Sequence, residues 1–312
     1  MGNITEFNTV KAKQYIGFAA DGAIPAHSGL TIYVHSSGPR DTGLSPFTTT
    51  IDAAIGKCRA NRDDMVVVLE GHTETISNAT SLVADIAGVT IIGLGKGNGR
   101  PTITLDTATT TTIPVSAANV TFKNIIFTAN FADIVSVFTL TTAKYFRLEN
   151  CYIKATATNM NFLSVVTTST TDGNADGLQL INNKWIEPDL ATLYMVNQAN
   201  TLDDVVIYGN YANLGVNNNK ASLLNVANGK IVTSLNMSKN IVYRLNTDTA
   251  TGAILFHTNG STNTGTVSEN FAQHADTAAE LLVTASSGLG TFSNYASGVA
   301  GASGYLLPGA DS

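Results

Sequence analysis

The sequence predicts an all-β solenoid: a single-stranded right-handed parallel β-helix of about eight coils, closed at its start by a short helix. Three observations carry this reading. Charged residues are only 13% of the chain, roughly half the usual share, which leaves helices too few Lys and Glu to cover their exposed faces. Thr, Asn, Ser, Ala and Gly fill the deficit, and these suit strands and tight turns. The third observation is a repeat. In "VTFKNIIF", residues 120–127, Asn124 interrupts an alternating apolar run, and the interruption recurs along the chain.

"FRLENCYI" carries Asn150, "LQLINNKWI" Asn182 and Asn183, "VIYGNYA" Asn210, "LNMSKNIVY" Asn240, "TVSENFA" Asn270 and "TFSNYA" Asn294. Taking Asn182, successive gaps are 26, 32, 28, 30, 30 and 24 residues, so constant strands are joined by loops of different size. An earlier copy without the Asn is "VTIIGLGKGNGRPTITL", residues 89–105. One marked strand per period of this length is a solenoid signature. Helical repeats need long segments of 3.6 period. These units are short runs of Val, Ile, Thr, Phe and Tyr bounded by Gly, Asn and Asp, and they lack the Leu ladder of a leucine-rich repeat. In a parallel β-helix each coil pairs with the one before it, about 4.8 Å away. The Asn residues are then expected at corners, because Asn tolerates the left-handed backbone of a sharp turn. Stacked there, their amides are expected to hydrogen-bond along the axis.

The ends follow from the need to cover the open coil. "TTTIDAAIGKCRANRDD", residues 48–64, places Ile51, Ala54, Ile55 and Cys58 on one helical face, as a capping helix would. The expected organisation is an N-terminal arm at 1–28, an entry strand and capping helix at 29–64, the β-helix at 65–296, and a Gly- and Ala-rich cap or tail at 297–312. Arm and tail are the expected intersubunit contacts. Composition narrows the partners. A net charge of −6 gives no basic footprint for nucleic acid. No apolar run approaches the ~18 residues of a membrane span, and the opening residues lack the order of a signal peptide. Cys58 and Cys151 could form one disulfide, but their apolar settings favour two buried free thiols.

The segment "LTIYVHSSGPRDTGLSPFTTTIDAAI" at 30–55, followed by "DDMVVVLEGHTETI", resembles the entry of pectate-lyase-like β-helix proteins. There a strand, a Gly/Asp loop, a capping helix and a second strand come in the same order. The sparse charge, the Thr/Asn-rich coils and the ending "NYASGVAGASGYLLPGADS" look most like β-helix proteins of tailed bacteriophages. That resemblance implies a virion decoration, fibre or spike, often trimeric.

Fold does not give function, so the side chains are weighed singly. A lyase of this resemblance would need a calcium-binding set of Asp residues on one strand face, with an Arg as base. The outward positions are expected to be Thr121, Lys123, Arg147, Glu149, Gln179, Ile181, Ile207, Gly209, Asn236 and Ser238. One acid among them does not make a calcium site, and no metal or other cofactor is expected. Lys123 and Glu149 are expected to pair across adjacent coils. The one carboxylate pair with catalytic potential is Asp176 and Asp204, each two residues before the strand residues Leu178 and Val206. Stacked one coil apart, they would stand at about the 5 Å separation of a retaining glycosidase. Asp before a strand is equally ordinary turn chemistry. Asp189 and Asp203 lie nearby. His27, His35, His72, His257 and His274 show no metal-ligand spacing and read as surface or turn residues. "GLGKGNG", residues 93–99, matches no phosphate-loop pattern and reads as a glycine-rich corner. The aromatics Tyr145, Phe146, Tyr152, Trp185, Tyr208, Tyr211, Tyr243 and Phe271 are mostly expected at core or stacking positions.

The expectation is a non-enzymatic structural protein of a phage virion. It would decorate or cement the outer capsid surface, form a homotrimer, contact the major capsid protein or another virion protein, and touch neither nucleic acid nor membrane. The alternative is a tailspike or fibre that binds or cleaves host polysaccharide, with Asp176 and Asp204 as its catalytic pair.

Overall fold

Strands whose side chains alternate present one apolar face, and this chain buries those faces around a common axis. The computed structural model describes residues 27–38, 46–157, 159–186, 194–214, 222–244, 255–258, 262–274, 282–283, 288–298 and 307–308. The arm expected over 1–28 lies outside the described residues but for 27 and 28, as does the tail over 297–312 but for 297–298 and 307–308.

Three sheets run along the molecule. The first opens with Phe47–Thr48 and Thr31–Val34 and continues through Met65–Val68, Thr90–Gly93 and Thr121–Lys123 to Gly290–Phe292. The second runs from Thr73–Ile76 to Tyr295–Gly298, and the third from Ile113–Val115 to Phe256–Thr258. Successive coils pair in parallel. Among the described strands only Leu307–Pro308 lies antiparallel, against Tyr295 and Ala296. The fold is a right-handed parallel β-helix, the hand that crossovers between parallel strands take almost without exception. Six coils carry a strand on all three faces. In two more a single bridge, Ala84 to Val115 or Phe256 to Val283, stands in on the third face. The expected eight coils are reached only by counting those two.

Register makes the core continuous. Ile32, Val66, Ile91, Phe122, Leu148, Leu180, Ile207, Met237 and Val267 stack in one inward column of the first sheet, all buried. Each such side chain contributes about 1.5–3 kcal/mol by leaving water. In the coil beginning at Thr121, each face sends one phenylalanine to the axis. Phe122, Phe127 and Phe138 meet there with ring centroids 5.0–6.2 Å apart, and Phe146 of the next coil lies 5.2 Å from Phe138. These are tilted and edge-on contacts, the preferred ring geometries.

The corner between the first and second sheets has two adjacent positions with different duties. The first is left-handed and holds Asn124, Asn150, Asn182, Gly209, Lys239, Glu269 and Ser293 in successive coils, with φ between 52° and 67°. The second faces inward and holds Ile125, Cys151, Asn183, Asn210, Asn240, Asn270 and Asn294, all buried. The sequence expectation of a left-handed corner residue whose amide also bonds along the axis holds for Asn124 and Asn150, where Asn150 Nδ2 donates to Asn124 Oδ1 at 3.1 Å, and is corrected from Asn182 onward, where the two duties fall to adjacent residues. Asn124, Asn150 and Asn182 are turn formers, whereas the buried ladder starts at Asn183. There the Nδ2 of Asn183 donates to Asn210 Oδ1 at 3.0 Å and to the Leu148 carbonyl at 2.9 Å. The backbone N–H of Asn183 reaches the same Oδ1 at 2.9 Å. Asn210 repeats the pattern onto Asn240, Asn240 onto Asn270, and Asn270 onto Asn294. A left-handed turn needs only a residue that tolerates positive φ, so Lys and Glu serve; the ladder needs an amide, which both donates and accepts.

The entry end is held by a helix and a carboxylate. The helix Ile51–Ile55 is shorter than the segment read from sequence, and it buries Ile51, Ala54 and Ile55 on the first coil as expected. Thr50 caps it by accepting from Ala53 N–H, and Glu74 Oε2 from the second sheet accepts from Ile51 N–H at 3.0 Å. These bonds satisfy donors that a helix start leaves open. Behind it, the fully buried Asp64 accepts from the backbone N–H groups of Leu30 and Arg59, both at 2.7 Å, and from the Arg59 guanidinium at 2.8 and 3.1 Å. This clasp fixes the first strand to the chain that leaves the helix.

Replacing Asn240 by Leu should leave the Asn210 N–H and one hydrogen of its side-chain amide without their acceptor and take one donor from the Ile207 carbonyl. At about 1–3 kcal/mol for each buried group, a loss of about 3 kcal/mol or more is expected in thermal or urea unfolding. The exposed Asn236→Ala should stay within about 0.5 kcal/mol. Equal losses would mean that the ladder contributes nothing special.

Asp64 gives a pH signature. The hydrogen bond from Arg59 holds its carboxyl well below the ordinary value of 3.8, with the Leu30 and Arg59 backbone bonds adding to it against the cost of burial. A depressed folded value stabilises above the unfolded value and is lost as pH falls through the folded one. Stability from this group should therefore be constant from neutral pH down to about 5 and disappear in strong acid. Asp64→Asn should cost about 3 kcal/mol at neutral pH and flatten the acid limb of the stability curve. An unchanged acid limb would assign the transition to other carboxylates.

Candidate functional site

The corner between the third and first sheets carries the acids singled out in the sequence. Its left-handed column is Asn119, Tyr145, Gly177, Asp204 and Ser234. Asp204 thus stacks with Gly177, and Asp176 stacks with Asp203. Gly177 N–H donates to the Asp203 carbonyl at 2.8 Å, and Asp203 N–H to Asp176 Oδ1 at 3.0 Å. The step between these coils is 27 residues (Gly177 to Asp204), not the 28 obtained by equating Asn182 with Asn210. Asp176 and Asp204 are offset by one residue and are not the stacked pair expected. Asp189 lies outside the described residues.

Three of the acids here already serve the corner through their carboxylates. Asp176 Oδ2 pairs with Lys144 at 3.1 Å, and Asp172 with Lys230 at 2.8 Å. Asp203 Oδ1 accepts from Thr233 Oγ1 at 2.6 Å and from Asp204 N–H at 2.9 Å. Hydrogen bonds from Thr233 and then Ser234 hold the Asp203 carboxyl below the usual range, and the bond from Lys230 does the same for Asp172. A general acid must keep its proton until it is needed, and these two groups are arranged to lose theirs.

On the outer face of the first sheet, Lys123 and Glu149 pair at 2.8 Å, as expected. Arg147 joins them at 2.7 Å and donates to Gln179 Oε1 at 3.1 Å. Partial burial opposes ionisation of Glu149, but the bonds from Lys123 and Arg147 outweigh it and keep its carboxyl below the ordinary range. Two outward assignments are corrected: Ile207 is fully buried, and Val206 and Tyr208 flank it on the outside. Gly209 is the left-handed corner residue. The outer column of the third sheet is neutral, running through Pro114, Thr139, Thr167, Asn197, Asn225 and His257.

The histidines differ from expectation at the capped end. His35 and His72 are buried, with rings 6.3 Å apart, because the coil under the helix encloses them. His72 Nε2 lies 3.1 Å from Glu74 Oε2, the carboxylate that also caps the helix. His27 bonds to Thr31 Oγ1 and the Asp63 carbonyl, while the side chain of His274 lies outside the described residues. Among the described residues no three His, Cys, Asp or Glu side chains converge as a metal site. The glycine-rich segment is a corner, with the carbonyls of Gly93 and Gly95 accepting from Asn124 Nδ2 at 2.8 and 3.1 Å.

The second sheet holds what the sequence reading missed. Its outward columns place Tyr152, Lys184, Tyr211, Ile241, Phe271 and Tyr295 in one line and Lys154 and Tyr243 beside it. Of the eight aromatics expected mostly in the core, Phe146 and Trp185 are buried, while Tyr152, Tyr211, Tyr243 and Phe271 belong to this stripe. Arg100, Lys154 and Lys184 lie 5.9, 5.6 and 5.4 Å from the Tyr152 ring, and Lys184 is also 5.6 Å from Tyr211. Tyr211, Tyr243 and Phe271 continue with centroids 5.4 and 6.3 Å apart. Ile241 and Tyr295 are 40% and 43% exposed, so the stripe stays open to contact. The signal was legible: the residue after each inward corner position points out, and reads Tyr152, Lys184, Tyr211, Ile241, Phe271 and Tyr295.

No protein-family model matches this chain, and no curated protein matches it. Among solved structures, a rhamnogalacturonan lyase is similar, with 11% identity over 85% of this chain and 87% of that one and a TM-score of 0.43. A likeness at this identity says nothing about activity.

Cys58 and Cys151 are buried and free, as read from the sequence. Burial pushes the Cys58 thiol up to about 11 and the Cys151 thiol up to about 12. Since the thiolate is the reactive form, neither should react with a disulfide reagent at pH 8 in the native protein, and both should react in denaturant. Rapid native labelling of Cys151 would mean that the ladder corner opens.

Proposed function

We propose that this chain is a non-enzymatic structural protein of a tailed-phage particle, one that coats or cements the outside of the shell. The observation that carries the reading is where the polar groups are used. Inside, the Asn amides bond to each other along the axis. Outside, Lys123 with Glu149, Lys144 with Asp176 and Lys230 with Asp172 pair across coils or turns. Such pairs are worth about 0–1 kcal/mol each at a surface, and in series they tie successive coils of a stiff rod together. A rod of this kind works by geometry, adding interface area at each contact with its neighbours. The resemblance of the sparse charge, the Thr/Asn-rich coils and the ending "NYASGVAGASGYLLPGADS" to phage β-helix proteins supports the virion setting and a trimeric assembly.

The exposed rings of the second sheet favour one other reading, a spike or fibre that holds host polysaccharide. Cleavage has less support, because Asp176 is engaged by Lys144 and stacks with Asp203 instead of Asp204.

Quantitative mass spectrometry of purified particles should find this chain at a copy number comparable to the shell protein. A few copies per particle would favour the spike. Absence from particles would overturn both readings. Release of reducing ends from host polysaccharide, abolished by Asp176→Asn or Asp204→Asn, would overturn the non-enzymatic one.

A further inference from the structure

Two surface patches of opposite charge stand in neighbouring coils of this solenoid. The basic patch is the start of the second-sheet stripe, where Arg100, Lys154 and Lys184 gather around Tyr152. None of the three forms an ion pair with a described acid, and no acidic side chain occupies the outward columns of that sheet among the described residues. The acidic patch is the corner between the third and first sheets, where Asp172, Asp176, Asp203 and Asp204 lie in consecutive coils. Lys230 and Lys144 neutralise the first two. Asp203 and Asp204 are exposed and pair with no described cation.

The heights follow from the register. Lys184 follows Gly177 within one coil, Tyr152 and Lys154 belong to the coil before, and Asp203 and Asp204 open the coil after. Two copies set side by side in the same direction would bring the ridge against Lys184 with an axial shift of about one rung, near 4.8 Å, and against Tyr152 and Lys154 with a shift of about two. The rings add an apolar floor. From Tyr152 to Tyr295 the stripe crosses five rungs, about 24 Å, and it includes the exposed Ile241 and Tyr295.

We infer that the occupant of the stripe is a second copy of this chain, docked through its Asp203–Asp204 ridge. The contact joins two different patches, so it is heterologous and adds copies in a ring or a row according to the angle between them. It stands independently of the coating function, since it is read on the isolated protein with no particle present.

The test uses the full chain in sedimentation equilibrium at about 50 mM and about 500 mM salt, conditions that differ in screening length by about threefold. The wild type should associate with concentration at low salt and at least tenfold more weakly at high salt. Lys184→Glu should weaken low-salt association at least tenfold, and so should Asp204→Lys. The latter suits its left-handed position, because Lys239 occupies the same conformation at φ 57°. Circular dichroism checks the fold of each variant. The double variant Lys184→Glu/Asp204→Lys exchanges the two signs and should recover association. A wild type that is monomeric at both salts overturns the inference, as does association that survives either single reversal. Monomeric protein that binds dextran sulfate, with binding lost in Lys184→Glu, would assign the stripe to an anionic polymer and also overturn it.

Discussion

Everything in this molecule depends on one constraint: a buried amide must find a partner. A solenoid corner breaks strand pairing once in every coil, and at the first-to-second corner it does so beside the core. From Asn183 onward the chain answers with one inward amide per coil, which accepts from the coil before and donates into it. Each buried Asn is therefore both a cap on its neighbour and dependent on the next. Before Asn183 the position holds Cys151 and Ile125, and Cys151 still donates its N–H to Asn183 Oδ1 at 2.9 Å. The first coils rely on apolar packing at this corner, with the Phe122, Phe127 and Phe138 cluster beside it.

The end that begins the coil is treated differently. A helix of five residues is too short to be stable by itself, so its place is fixed by tertiary bonds. Glu74 takes its first N–H, Asp52 Oδ1 accepts from Val83 N–H at 3.0 Å, and Asp64 ties the outgoing chain to Leu30. Three carboxylates thus fasten one small cap. Elsewhere on the surface Glu149, Asp176 and Asp172 are held by neighbouring lysines and arginines.

Charge and aromatic character are not spread evenly. The third sheet presents Thr and Asn, the first a short chain of ion pairs, and the second a line of rings with cations at one end that pair with no described acid. That asymmetry is the strongest functional feature of the surface. It distinguishes one face for contact from the other two, and it gives the proposed layer a direction.

By itself the sequence determined the architecture. Alternation of period two, the Asn marks near every thirtieth residue and the amphipathic run at Ile51–Cys58 all follow from local chemistry, and the parallel β-helix, the capping helix, the Lys123–Glu149 pair and the two buried thiols were readable there. Only the tertiary structure decided the register. Asn182 and Asn183 both fit the pattern, and loops of unequal length conceal which residues stack. The one-residue difference moved the ladder to Asn183, paired Asp176 with Asp203, turned Ile207 inward, and placed the tyrosines outside. In a strand a shift of one residue exchanges the two faces. Which face a side chain occupies is settled by the backbone bonds between coils, and those exist only once the coils are stacked.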